Sequence, residues 1–185
     1  TEYEKQICGT GIFNSLEAIY QDPKYKLNLN KKDPFWICRQ QEKPYFKRAC
    51  FDDFKDIIMV ITNQDFAKAA KFVEGIKEDD YANGAIDNLA TYAAYFILRQ
   101  PSYDYAIDIC HNLQFRLHTN CIAGLGAGFM TAGVPGQEYL KAIEICHSPR
   151  ITNDERAACF ERVLRPIGLR YSPAVCRQAF TLVHE

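Results

Sequence analysis

The sequence has no excess of charge of either sign: 22 lysines and arginines stand against 23 aspartates and glutamates in 185 residues. A chain this balanced exerts no broad pull on nucleic acid or on an anionic membrane, which removes the strongly basic binding proteins from consideration. It also lacks a long hydrophobic run. The longest stretch without a formal charge, Thr119 to Gln137, is interrupted by Gly124, Gly126, Gly128, Gly133, Pro135 and Gly136, and its apolar part is too short and glycine-rich for a membrane span. Cys-x-x-Cys is absent, which argues against a thiol oxidoreductase. Sustained period-2 alternation is absent too, which argues against sheet; Asn83-Gly84 sits inside a helical pattern rather than between β-branched runs. No Ser-His-Asp set, paired carboxylates or P-loop stands out, so no catalytic residues are assigned. The Gly124-x-Gly126-x-Gly128 run follows no strand and lacks the dinucleotide spacing, so close helix packing is its expected role. No signal peptide is visible, and the chain begins at Thr1, a start that fits a processed mature form or a trimmed chain.

What is present is helical and apolar. At 48% hydrophobic, the chain is long enough to bury a substantial core as one domain, residues 1–185. Thr1 to Tyr20 carries an approximate 3.6-residue stripe of Ile7, Ile12, Phe13, Leu16 and Ile19. Gln21 to Lys32, with Pro23 and four lysines, reads as a solvated connection. Asp33-Pro34 starts a short helix with Phe35, Trp36 and Cys38, and Pro44 starts a longer one that reaches Ile61. Asn63 is the expected cap of the next helix, and Asp79 or Asp80 of the one after, which runs to about Arg99. A further pair begins near Pro101, with its second helix from about Gln114 to Thr131. Pro135 opens another first helix. Thr152-Asn-Asp-Glu155 is a capping box, and Ser172-Pro173 opens the last helix. The reading is all-α, about ten helices.

These helices repeat. Tyr103, Ala106, Ile109, Cys110 and His111, followed by Cys121, recur as Tyr139, Ala142, Ile145, Cys146 and His147, followed by Cys159, at an offset of 36 residues. A fixed period in this range is the signature of stacked supersecondary units. Registered on the end of each first helix, the copies fall at Cys38, Val73, Cys110, Cys146 and Cys176, at intervals of 35, 37, 36 and 30. The units are 33–62, 63–100, 101–134 and 135–168, with partial units 1–21 and 169–185 and a connection 22–32. Cys8-Gly-Thr-Gly resembles Cys121-Ile-Ala-Gly, so the first helix reads as the second helix of a unit. The expected architecture is an α-solenoid of stacked antiparallel hairpins with a period of about 36 residues.

The eight cysteines follow the repeat. Cys38 and Cys50, Cys110 and Cys121, and Cys146 and Cys159 each join the end of one helix to the first two turns of the next. A tight hairpin brings such positions to bonding distance. In the unit where the first site is Val73 the second is Ala85, so both sulfurs are missing together, as expected of one bond. Three disulfides imply an oxidising compartment: periplasmic or extracellular, or the mitochondrial intermembrane space. Cys8 and Cys176 stay unassigned: free, bonded to each other or to another chain, or halves of units in an array that extends beyond this sequence. Zinc is the alternative at Cys110, His111, His118 and Cys121, but Cys38 and Cys50 have no histidine nearby, so the ligand set fails to recur; no metal or cofactor is assigned. A histidine after a helix's last turn, as at His111 and His147, is also favoured by the helix dipole.

With this hairpin length and an aromatic packed over an alanine (Phe66 over Ala69, Tyr103 over Ala106, Tyr139 over Ala142), residues Phe66 to Glu185 resemble tetratricopeptide or Sel1-type solenoid repeats. The staple is a departure from that family. The resemblance implies an α-solenoid whose concave face binds proteins or peptides. The Cys-x(10–12)-Cys hairpins are also loosely similar to twin-cysteine hairpins of the intermembrane space. The expected function is a non-catalytic interaction or structural scaffold subunit, docking on a larger assembly through protein partners, with no nucleic acid, no transmembrane segment and association with a membrane complex still open. The alternative is a binder of a small apolar ligand or cofactor among Tyr92, Tyr95, Phe96, Phe129 and Met130. An enzyme ranks third, and would need His111, His118 or His147 beside a carboxylate in a deep pocket.

Overall fold

Thr1 accepts the amide of Glu4 on its hydroxyl at 3.3 Å and so opens α1, Glu2–Gln21, with a capping box. This is the first of eleven helices in a computed structural model that describes residues 1–22, 24–25, 30–100 and 102–184. The chain is all-α, with no strand among the described residues. Pro23, Lys26 and Pro101, used in the sequence reading, lie outside the described residues. The chain divides into two compact units, Thr1–Leu89 and Ala90–Glu185.

In the first unit, α2 is Trp36–Arg39, α3 is Pro44–Asp53 and α4 is Lys55–Ile61; α5, Phe66–Glu74, and the start of α6, Asp79–Ile97, complete it. Three local expectations are corrected. Asp33 does not cap α2 with its side chain: its carbonyl accepts the Trp36 amide, and its carboxylate pairs with Arg39. The helix expected from Pro44 to Ile61 breaks at Phe54, whose ψ of −1° opens the turn. Its ring is thereby fully buried beside Phe35, with centroids 6.2 Å apart. Asn63 does not cap α5 either. Asn63 and Gln64 are left-handed, with φ of 54° and 63°, and reverse the chain after α4, so the cap passes to Asp65, which accepts the Lys68 amide at 3.0 Å.

The core of this unit is aromatic. Phe35 and Phe51 lie 5.2 Å apart, and Phe51 stacks on Tyr81 of α6 at 5.2 Å. Each such buried ring contributes roughly 1.5–3 kcal/mol. α1 crosses α3 at Gly9, where a Cβ would come 2.9 Å from that of Ala49. Only glycine allows that approach.

The second unit holds the end of α6, then α7, Asp104–His111; α8, Phe115–Ala132; α9, Glu138–Cys146; α10, Asn153–Arg170; and α11, Pro173–His184. Pro135 does not open α9, because Gly136 at φ 82° turns the chain left-handed first and the helix begins at Glu138. The capping box of Thr152 and Glu155 is present as read from the sequence. At the centre runs α8, buried from Cys121 to Gly126. Gly126 faces the Cys159 sulfur of α10, and Gly128 faces Thr91 and Ala94 of α6. The glycine run is the packing device its spacing indicated.

Candidate functional site

Each disulfide joins the two helices of one hairpin. Cys38 bonds Cys50 with Cα atoms 5.3 Å apart, Cys110 bonds Cys121 at 5.6 Å, and Cys146 bonds Cys159 at 5.5 Å. All six are fully buried. Val73 and Ala85, the matching places in the hairpin of α5 and α6, are buried as well. Cys8 is exposed on α1; Cys176 is half-buried on α11, its sulfur 3.6 Å from the Ile167 carbonyl oxygen.

Two histidines converge on one carboxylate. His111, the last residue of α7, donates from Nε2 toward Glu155, with Oε1 at 3.1 Å and Oε2 at 3.2 Å. His118 of α8 brings Nδ1 to 4.0 Å from the same Oε1, and its Nε2 donates to the Leu113 carbonyl at 2.9 Å. Glu155 is buried in the first turn of α10 and accepts the Thr152 amide at 2.7 Å. Burial pushes its carboxyl up, but the Thr152 amide and the adjacent His111 outweigh it, leaving the group below the ordinary range. His147 lies elsewhere, donating from Nε2 to the Leu182 carbonyl at 2.8 Å beside the Phe160 ring. With Cys110 and Cys121 bonded to each other, the four residues of the zinc alternative are not a free ligand set. No group of three or more His, Cys, Asp or Glu among the described residues is arranged to hold a metal ion.

The aromatic set divides. Tyr92 packs edge-on against Phe96 at 5.7 Å, Tyr95 is exposed, and Phe129 and Met130 are buried in α8. Phe129 meets Tyr103 at 5.9 Å on the wall of a cleft of about 280 Å³, whose rim is polar: Gln100, Ser102, Asp104, Lys141 and Glu144. There the Tyr103 hydroxyl donates to Glu144 at 3.2 Å. Burial and the Glu144 charge push it up to about 12.

Sequence reasoning missed one further group. Asp52 of α3 turns its carboxylate toward Gly84 of α6, where burial pushes it up to about 6; Asp53 and Asp87 add to the rise, while Arg48 and Lys55 oppose it. Nothing in the local pattern marks Asp52 or Glu144, and the capping box that marks Glu155 does not show His111, because these partners lie about thirty to forty residues away.

Among the described residues no helix is long and apolar enough to cross a membrane. Set against protein-family models, curated proteins and solved structures, the chain matches none.

Proposed function

We propose that this chain is a disulfide-stapled helical-repeat scaffold, an α-solenoid of hairpins of about 36 residues similar to tetratricopeptide or Sel1-type repeats, which docks on protein partners in an oxidising compartment. The observation that carries the reading is the recurrence of one buried position. Ala69, Ala106, Ala142 and Ala179, at intervals of 37, 36 and 37 residues, are all without exposed surface. Four residues after each alanine stand Val73, Cys110, Cys146 and Val183. A fixed period with one small buried residue per turn of the array is what stacked hairpins require, since each hairpin buries its face only against the next.

This register reassigns Cys176. It stands three residues before Ala179, where Phe66, Tyr103 and Tyr139 stand before their alanines, and Val183 takes the staple position, as Val73 does. The first staple site is therefore not a cysteine in that helix, and Cys176 is a small half-buried residue with its thiol against the carbonyls of Ile167 and Tyr171.

Three buried disulfides support the compartment, because cytosolic thiol buffers keep such pairs reduced. The periplasm or cell exterior fits, as does the intermembrane space. The test is intact mass after alkylation without reduction, on protein from its native source, followed by cross-linking to identify what it touches. Six blocked cysteines with two alkylated and a cross-linked protein partner are expected. Eight alkylated cysteines would overturn the compartment, and a chain with no cross-linked partner would overturn the scaffold role.

A further inference from the structure

Tyr103 stands three residues before Ala106, as Tyr139 stands before Ala142, but the two rings are packed differently. Tyr139 is 4% exposed, with Tyr171 edge-on at 5.8 Å and its own hydroxyl donating to Gln178 at 3.1 Å. Tyr171 comes twelve residues after Cys159; twelve after Cys121 stands Gly133, which has no ring to bring. Tyr103 is only half-buried, and the cleft of about 280 Å³ opens beside it.

This cleft has an apolar wall and an acidic rim. Buried Ile97 and Phe129 line the wall, and the Phe129 ring meets Tyr103 edge-on at 5.9 Å. The charged lining is two carboxylates, Asp104 and Glu144, against one ammonium, Lys141. The end of α6 lies here too, a helix of 19 residues with no basic residue in its last turn, so the negative end of its dipole has no cation of its own there. The start of α7 is met locally, since Ser102 accepts the Asp104 amide at 3.1 Å. Lys141 Nζ lies 2.6 Å from Glu144 Oε2, while Tyr103 donates to Oε1 at 3.2 Å. The Lys141 pair spans one turn of α9 with side chains 57% and 48% exposed, a weak pair that an incoming ammonium can replace. Asp104 keeps its charge toward the cleft, because its neighbour Arg150 stands 3.8 Å away and is held more closely by Asp108.

We infer that this cleft is a binding site for a lysine side chain presented by a protein partner, with its stem against Phe129 and Tyr103 and its ammonium replacing that of Lys141 on Glu144. The inference rests on the scaffold reading above and names the partner group that the junction of α7 and α9 takes. At about 280 Å³ the cleft falls just below the roughly 300–1,000 Å³ of whole small-ligand sites, a size that suits one side chain. An aliphatic stem ending in a point charge satisfies both wall and rim, and the aromatic rings add their own attraction for a cation. A carboxylate or phosphate would be repelled by Asp104 and Glu144, and a purely apolar group would leave them unmatched. Arginine's planar fork needs both oxygens of one carboxylate, and the Tyr103 hydroxyl already occupies one on Glu144.

The test titrates the isotope-labelled chain with N-acetyl-lysine methylamide and with its norleucine and arginine counterparts, followed by NMR. Saturable shifts at Gln100, Tyr103 and Phe129 are expected, with half-saturation at about tenfold lower concentration for lysine than for norleucine, which has the stem without the ammonium. Lys141→Met removes the internal ammonium and keeps an unbranched stem, so it is expected to tighten lysine binding by about threefold. Glu144→Gln keeps the Tyr103 hydrogen bond and is expected to abolish the preference over norleucine. The same spectra show that each variant is folded. Equal response to lysine and norleucine, tighter binding of the arginine compound, no gain in Lys141→Met, or a lysine preference that survives Glu144→Gln would overturn the inference. Failure of the scaffold reading looks different: the chain would then cross-link to no protein, whatever the lysine titration gives.

Discussion

His111 ends α7 with Nε2 3.1 Å from Oε1 of Glu155, 44 residues later in the chain, at the start of α10. The contact joins two hairpins through a carboxylate that already closes its own capping box with Thr152. Glu155→Gln keeps the shape and removes the charge, so about 1–2 kcal/mol should be lost at pH 7. The Glu155 carboxyl lies below its ordinary value in the folded chain, so its contribution is fully present above the unfolded value and is lost as pH falls through the folded one. Urea denaturation should therefore show wild type and variant converging as the solution is acidified below the usual carboxylate range. A gap that stays constant on acidification would contradict the assignment.

Asp52 works in the opposite sense. With its carboxyl pushed up to about 6 by burial, the folded chain holds a proton that the unfolded chain has already released. Stability should fall as pH rises from about 4 to about 6, by on the order of 2 kcal/mol. Asp52→Asn should remove that slope and raise the melting temperature at pH 7. Melting curves across this range check both.

Gly126 and Gly168 should respond oppositely to the same change. A Cβ at Gly126 would meet the Cys159 sulfur at 2.8 Å and Val163 at 3.2 Å, and a disulfide held at both ends yields little. Gly126→Ala should cost about 1–3 kcal/mol. Gly168, on the exposed side of α10, has no atom within 4 Å of that position, so Gly168→Ala should stabilise by up to about 1 kcal/mol through helix propensity.

The staples can be removed and one can be added. Changing Cys110 and Cys121 together to alanine should lower stability by roughly 2–3 kcal/mol, as expected for reopening a loop of 11 residues. Introducing Val73→Cys with Ala85→Cys should form a fourth bridge, since the two buried positions match the bonded pairs in sequence register. Intact mass before and after reduction reads the result, and two free thiols in the folded variant would show that the α5 and α6 hairpin departs from the others.

Much of the helical plan was legible because its causes are local. Thr152 and Glu155 cap α10 through contacts three residues apart, and the spacing of Cys110 and Cys121 is fixed by one tight hairpin. Even the pairing could be read, since Val73 and Ala85 lose their sulfurs together. The misreadings were also local in form, but their causes were not. Phe54 breaks a helix that its neighbours favour because burying its ring beside Phe35 outweighs the lost regularity. At Asn63 and Gln64 a left-handed reversal moves the cap two residues on, and Gly136 moves the start of α9 from Pro135 to Glu138.

The sequence alone determined most of the helices, the three bridges and the small-residue face of α8, because each follows from side chains within a few turns of one another or from a pattern written more than once in the sequence. The tertiary structure decided which groups meet across hairpins: Glu155 with His111, Tyr103 with Glu144, and the Asp52 carboxylate with Gly84. Those facts depend on how helices cross, which is set by packing summed over many residues and leaves no mark at any one position.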